Sequence, residues 1–361
     1  MITRRLLLTT ALATALPFTA QADQPLKVVT TFSILGDMVD VIGGDAIELT
    51  SLVGRDGDAH VYSPSPQDAK AVSEADVLII NGLEFEGWLE RLTEAASFDG
   101  KLVVATDGIE AIAYDDHAEE KHDDHDHAEN DHDHDHGEHK HDDHAHDDHA
   151  HDDHGHDEHA HDDHDHSKEK HDDHAGHDDH AGHNHGAFDP HAWQSVENAM
   201  IYVDNIANGL AQADPDNASD YFTNRAAYMA ELEALQTEIT GTMAALPADR
   251  RTVVTSHDAF GYFEQSYGLR FEAPVGLSTE SEASAGDVAK LITQIRDQGI
   301  AAVFVETITD NRLMEQIANE TGAVIGGVLY SDALSGEDGP APTYLDMMRY
   351  NAATIAGALG S

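Results

Sequence analysis

Residues 26–53 read LKVVTTFSILGDMVDVIGGDAIELTSLV, and their periodicity decides the fold. LKVVTTF is short and rich in β-branched residues, which suit a strand. In ILGDMVDVIGG the apolar side chains recur at helical spacing, and a glycine pair ends the run. IELTSLV then returns to strand character. A strand, a helix and a second strand in so short a stretch imply a mostly parallel sheet flanked by helices.

The same alternation continues downstream. SPQDAKAVSEA, DVLIING, GWLERLTEAAS and KLVVAT place an N-terminal α/β lobe at residues 23–114, with residues 187–213 as its end. RTVVTSH, DAFGYFEQSYG, LRFEAPVG, DVAKLITQIRDQG, AAVFVE, NRLMEQIANETG and AVIGGVLY build a C-terminal α/β lobe over residues 248–361, closed by a helix from about Tyr344 to Leu359. The fold class is α/β, two lobes with mostly parallel sheets. Residues 214–247 lie between them, where Asp214-Pro215 suits an N-cap and first helical position and apolar residues keep helical spacing until Pro247. Roughly 30 residues at 1.5 Å each give a rigid linking helix of about 45 Å. Large hinge closure between the lobes is then disfavoured.

Residues 115–186 break the pattern. The run HDDHAHDDHAHDDHGHDEHAHDDHDH, His141 to His166, typifies a segment with 25 of the 28 histidines, 28 acidic residues, 4 lysines and no aromatic residue. Its formal charge is 4 − 28 = −24, and its largest apolar residue is alanine. Such a segment cannot bury enough surface to offset chain entropy, so a disordered His/Asp-rich loop is expected. At the other extreme, MITRRLLLTTALATALPFTAQA has a basic start, an apolar run and a small-x-small end, the pattern of a signal peptide over residues 1–22. Export to the periplasm follows, by the general route or, given Arg4-Arg5, the twin-arginine route. The chain has no cysteine, hence no disulfide and no lipid-acceptor thiol. A formal net charge of −51 excludes nucleic acid and anionic membrane surfaces as partners and points to cations.

Outside the His-rich loop three histidines remain: His60 in GDAHVYSPSP, His191 in FDPHAW and His257 in TVVTSHDAFGYF. Asp332, in VLYSDALSG, is a fourth candidate. His257 and Asp332 follow strand-like runs, where ligands of open α/β sheets gather. With the loop excluded, successive candidates lie 59, 66 and 75 residues apart, one for each successive quarter of the chain. Three neutral imidazoles and a carboxylate form a tetrahedral set suited to Zn²⁺. A lone loop histidine is more often merely solvated, and Glu280, Glu282, Glu306, Asp258 and Asp310 are alternative acids that spacing does not separate from Asp332. No nucleophile–base motif occurs, and four protein ligands leave a metal no open position, so an enzyme is not expected.

HVYSPSPQDAK, DPHAW, SHDAFGYFEQSYGL, VFVET and SDALSGEDGPAPTYLDMMRYN, in this order over nearly the whole mature chain, resemble the cluster A-I metal-binding solute-binding proteins of bacterial ABC importers, most of all their zinc-uptake members. The resemblance implies two α/β lobes joined by a long helix, with the metal held between them. It implies His60, His191, His257 and Asp332 as ligands and Zn²⁺ as the transported ion, because manganese-type relatives usually have glutamate where His257 stands. It also implies an ABC-type membrane permease as partner and a His-rich loop near the mouth of the metal cleft, collecting or buffering zinc. A monomer without catalytic activity is expected, with affinity falling as pH drops through about 6.5 and the imidazoles protonate. Two readings compete: a zinc-storage or metallochaperone protein centred on the His-rich tract, and manganese or iron uptake by the same fold.

Overall fold

The computed structural model describes residues 24–114 and 187–360. The signal peptide expected at residues 1–22 and the His-rich loop expected at residues 115–186 lie outside the described residues. The chain begins β1 Leu26–Thr30, α1 Ser33–Gly43, β2 Ile47–Ser51, α2 Pro66–Ser73, β3 Val77–Ile80, α3 Leu89–Ala96 and β4 Lys101–Val104. Two helices follow, α4 Val196–Ala213 and α5 Ala218–Ala244. The second half is β5 Thr252–Val254, α6 Gly261–Tyr267, β6 Arg270–Glu272, α7 Ala285–Gln298, β7 Ala302–Glu306, α8 Arg312–Thr321, β8 Val324–Leu329 and α9 Tyr344–Leu359.

The opening stretch is the β1–α1–β2 unit, its strands paired in parallel from Leu26 opposite Ile47 to Thr30 opposite Ser51. One sheet has the order β2-β1-β3-β4 and the other β6-β5-β7-β8, and every pairing is parallel. The two sheets therefore share one topology, with a switch point beside the first strand of each, where such folds bind ligands. Strands β3 and β7 are buried at every position, as parallel strands covered on both faces must be.

The connector starts later than the sequence suggests: α5 begins at Ala218 rather than Pro215. Asp214 does not cap its first turn. The Asp214 carboxylate instead accepts the Asn217 side-chain amide at 2.6 Å and the Tyr221 hydroxyl at 2.8 Å, which holds a tight turn between α4 and α5. The 27 residues of α5 span about 40 Å. Tyr221, Tyr228, Leu232, Leu235, Ile239 and Met243 form its buried stripe at helical spacing. Helix α5 packs against α1, α4, α6 and α9.

A single hydrophobic core consequently runs from the first sheet through α4, α5, α6 and α9 to one face of the second sheet. A smaller cluster, including Leu291, Ile295, Val303, Met314 and Ile317, fills the other face of that sheet. No helix among the described residues is long and apolar enough to cross a membrane.

Candidate metal centre

The four sequence candidates converge on one point. His60 lies in the loop after β2 and His191 directly before a short 3-10 turn, Ala192–Gln194. His257 and Asp332 each follow a strand, β5 and β8, by three residues. The side chains of His191, His257 and Asp332 are fully buried and that of His60 nearly so. One donor atom from each of the four lies within 4.8 Å of the other three, and this is the one such group among the described residues. His60 Nε2 is 3.3 Å from His191 Nε2 and 3.2 Å from Asp332 Oδ2. His257 Nε2 is 3.2 Å from Asp332 Oδ2, and His191 Nε2 is 3.7 Å from Asp332 Oδ1. An ion bound tetrahedrally at 2.0 to 2.1 Å separates its ligands by about 3.4 Å, close to the His60–His191, His60–Asp332 and His257–Asp332 separations.

Each histidine is held by a carboxylate through its own backbone. The N–H groups of His60, His191 and His257 donate to Asp58, Asp189 and Glu306, each at 2.9 Å. Glu306 also accepts the Ser256 N–H at 2.7 Å. Two of these acids reach the ring as well. Asp189 Oδ1 is 2.8 Å from His191 Nδ1, and Glu306 Oε2 is 2.6 Å from His257 Nδ1, a close contact with poor hydrogen-bond alignment. A carboxylate at Nδ1 keeps the proton there and leaves the Nε2 lone pair facing the centre. On the outer side Phe85 packs edge-on against His60 and Trp193 against His191, with ring centroids 4.9 and 5.3 Å apart, walling the imidazoles from water.

Burial lowers the basicity of His257, but the facing carboxylates Glu306 and Asp332 outweigh it and hold the imidazole well above its ordinary value. Burial likewise works against the Asp332 carboxylate, yet His257 and His191 keep it well below the usual range. His60 shifts the other way, lowered by burial more than Asp332 raises it. Without metal, these two carboxylates therefore favour the protonated form of the His257 imidazole. Both Asp332 oxygens and His257 Nε2 are buried and make no aligned hydrogen bond, although they face one another. Buried polar atoms left in this state are a strained arrangement that a cation would relieve.

Of the alternative acids, Glu306 sits behind His257 instead of among the converging donors, and Glu280, Glu282, Asp258 and Asp310 also stand outside that group. Glu282 and Asp310 line a cavity of about 460 Å³ that reaches His257, together with Asp58 and Thr279. Asp258 is partly buried near Asp189, and its desolvation raises the carboxyl to about 6. Sequence reading missed Asp58 and Asp189 as supports. A signal was present, since Asp58-Ala59-His60 and Asp189-Pro190-His191 share the pattern D-x-H. A side chain two residues back can accept a backbone N–H in an Asx turn.

Residues 28–358 match the family model described as ZnuA, zinc-uptake complex component A, periplasmic. The chain is 30% identical over 341 residues to the manganese-binding lipoprotein MntA of Halalkalibacterium halodurans, covering 94% of this chain and 91% of that protein. It is 29% identical over 334 residues to the iron-binding protein YfeA of Yersinia pestis, with 92% and 86% covered. Among solved structures, the Mn-bound periplasmic metal-binding protein of Candidatus Liberibacter asiaticus is similar at a TM-score of 0.67 and 26% identity, covering 93% of this chain and all of that one. The periplasmic zinc-binding protein TroA of Treponema pallidum shares the fold at a TM-score of 0.71 and 24% identity, with 93% and 99% covered.

Proposed function

Because the chain belongs to the ZnuA family, the metal-binding solute-binding components of ABC importers, we propose that it captures Zn²⁺ in the periplasm and hands it to a membrane permease. The observation that carries this reading is the donor set: three imidazoles and one buried carboxylate, with each histidine Nε2 3.2 to 3.7 Å from an Asp332 oxygen and His60 Nε2 3.3 Å from His191 Nε2. His60, His191, His257 and Asp332 are the proposed ligands. Nitrogen-rich tetrahedral sites suit zinc, whereas manganese favours more oxygens and a higher coordination number. The His-rich segment at residues 115–186 supplies 25 further imidazoles on the same chain, enough to collect or buffer zinc at high local concentration.

One observation favours manganese or iron instead. Both Asp332 oxygens face the centre without an aligned hydrogen bond, so the carboxylate is free to bind through two atoms. Simple competition would decide little, because zinc outcompetes manganese at nearly any nitrogen–oxygen site. Coordination number does decide. Co²⁺ loaded into the apo-protein should show the strong visible absorption of a tetrahedral site; a weak five- or six-coordinate spectrum would support the second reading.

Metal must displace the proton that Glu306 and Asp332 hold on His257. Protonation persists below the raised value, so affinity should climb about tenfold per pH unit across the range above 6.5 and level off only once pH passes that value. The raised value of His257 supports a pH window above the 6.5 expected of an ordinary imidazole. Calorimetry in buffers of different ionisation enthalpy should register about one proton released per zinc at neutral pH. Binding that is independent of buffer would contradict a protonated His257.

A further inference from the structure

We propose that Tyr262 is a positioning residue for metal capture: its hydroxyl, supplied by the C-terminal lobe, locks the turn that aims His191 and in the same contact clasps the two chain ends that flank residues 115–186. The proposal rests on His191 being a metal ligand. Tyr262 lies on α6, five residues after His257, and is buried. Its hydroxyl donates to the Asp189 carbonyl at 2.9 Å and accepts the Ile112 N–H at 3.1 Å. Burial pushes the phenol up to about 12, so it remains a donor throughout the working pH range.

Asp189 is the residue through which this bond can act on the metal. Its Oδ1 takes both the backbone N–H and the Nδ1 of His191. Its Oδ2 lies against α6 so closely that a Cβ on Gly261 would stand 2.5 Å from it. The backbone of Asp189 completes the clasp, since its N–H donates to the Ile112 carbonyl at 2.9 Å. Ala113 pairs with Phe188 in an antiparallel bridge, and the Tyr114 N–H reaches the Ala187 carbonyl at 3.0 Å. The chain segments on either side of the His-rich segment are thus tied to each other, to the Asp189–His191 turn and, through one hydroxyl, to the lobe that carries His257.

Tyr267, at the far end of the same helix, supplies the comparison. Its hydroxyl donates to Gln236 at 2.7 Å and accepts the Val196 N–H at 3.4 Å, so it also joins α6 to neighbouring helices but touches nothing that holds a ligand. Full-length Tyr262→Phe, Tyr267→Phe, Gly261→Ala and His191→Ala proteins should be compared by chelator competition for Zn²⁺ and by the visible spectrum of bound Co²⁺, well below their melting temperatures. Tyr262→Phe should weaken zinc binding about threefold to tenfold and alter the Co²⁺ spectrum, toward the low end of what outer supports of metal ligands contribute. Gly261→Ala, which displaces the Asp189 carboxylate directly, should do the same by a second route. Tyr267→Phe should lower the melting temperature and leave both metal readouts unchanged. Wild-type affinity and spectrum in Tyr262→Phe, or equal weakening in Tyr267→Phe, would overturn the positioning role. Tight binding retained by His191→Ala would sink the ligand assignment itself.

Discussion

Replacing His257 with alanine should lower zinc affinity by about 10² to 10³ and, unusually for a ligand substitution, also destabilise the metal-free protein. The first effect follows from the ligand count. Four-ligand structural zinc sites contribute roughly 10 to 16 kcal/mol, so one ligand of four is worth about 2.5 to 4 kcal/mol. The second follows from charge. The His257 imidazole lies 2.6 Å from Glu306 Oε2 and 3.2 Å from Asp332 Oδ2, all with fully buried side chains. Removing the cation between two buried carboxylates leaves them uncompensated, at a cost of about 3 kcal/mol. Adding Asp332→Asn to His257→Ala should restore part of that stability without restoring metal binding. Chelator competition measures the affinity and urea unfolding of the apo-proteins the stability. An apo-form as stable as wild type would show that the pair carries no buried charge.

The lobes divide the proposed ligands unevenly. Asp332 follows β8 in the second sheet, yet the loop that carries it is fastened to the first half of the chain. Trp193 and Gln194 side chains both donate to the Ser331 carbonyl at 2.8 Å, and Ser33 accepts the Leu334 N–H at 3.0 Å. Arg55 donates to the Ser335 carbonyl at 3.0 Å, and Asp37 accepts the Tyr344 N–H at 2.8 Å. His60, His191 and Asp332 therefore share one support, while His257 with its Glu306 partner stands on the other. With a continuous core and a 27-residue helix spanning both lobes, motion on metal exchange is expected to concentrate at His257 and at the Asp58–Thr279 bridge, 2.6 Å long, beside the open cavity. Wholesale hinge closure would break the core.

What was legible in the sequence and what was not divides along contact range. The β1–α1–β2 unit is encoded locally, by β-branched runs and helical apolar spacing, so its elements appear where residues 26–53 place them. The three histidines were legible as candidates because they alone lie outside the His-rich loop, whereas Asp332 was separated from the other acids by the family resemblance and not by spacing. Helix α5 was misplaced at its start because Asp214 spends its oxygens on Asn217 and Tyr221, a choice that local propensity cannot foresee. Glu306 was one acid among several in the sequence. Only the alignment of β7 beside β5 brings it behind His257, and the pairing that does so joins residues some fifty positions apart.

Excising residues 115–186 should leave one tight zinc equivalent intact and abolish the weaker ones. The structure makes the excision feasible: Tyr114 donates to Ala187 at 3.0 Å, so a two-residue turn such as Asn-Gly can join the ends without disturbing the Ala113–Phe188 bridge. The four proposed ligands and the carboxylates that hold them, Asp58, Asp189 and Glu306, all lie outside the excised segment. Tight affinity measured by chelator competition should therefore match that of the full chain. Stoichiometry by calorimetry should fall toward one, since 25 histidines leave with the segment. Loading at low zinc should slow, because a tethered array of weak sites raises the local supply of ion. Loss of the tight equivalent would instead make the His-rich tract the principal site and support the storage reading. The HDDHA repeats would then be the binding function and the two lobes their scaffold; retention assigns the specific chemistry to four residues scattered across the chain.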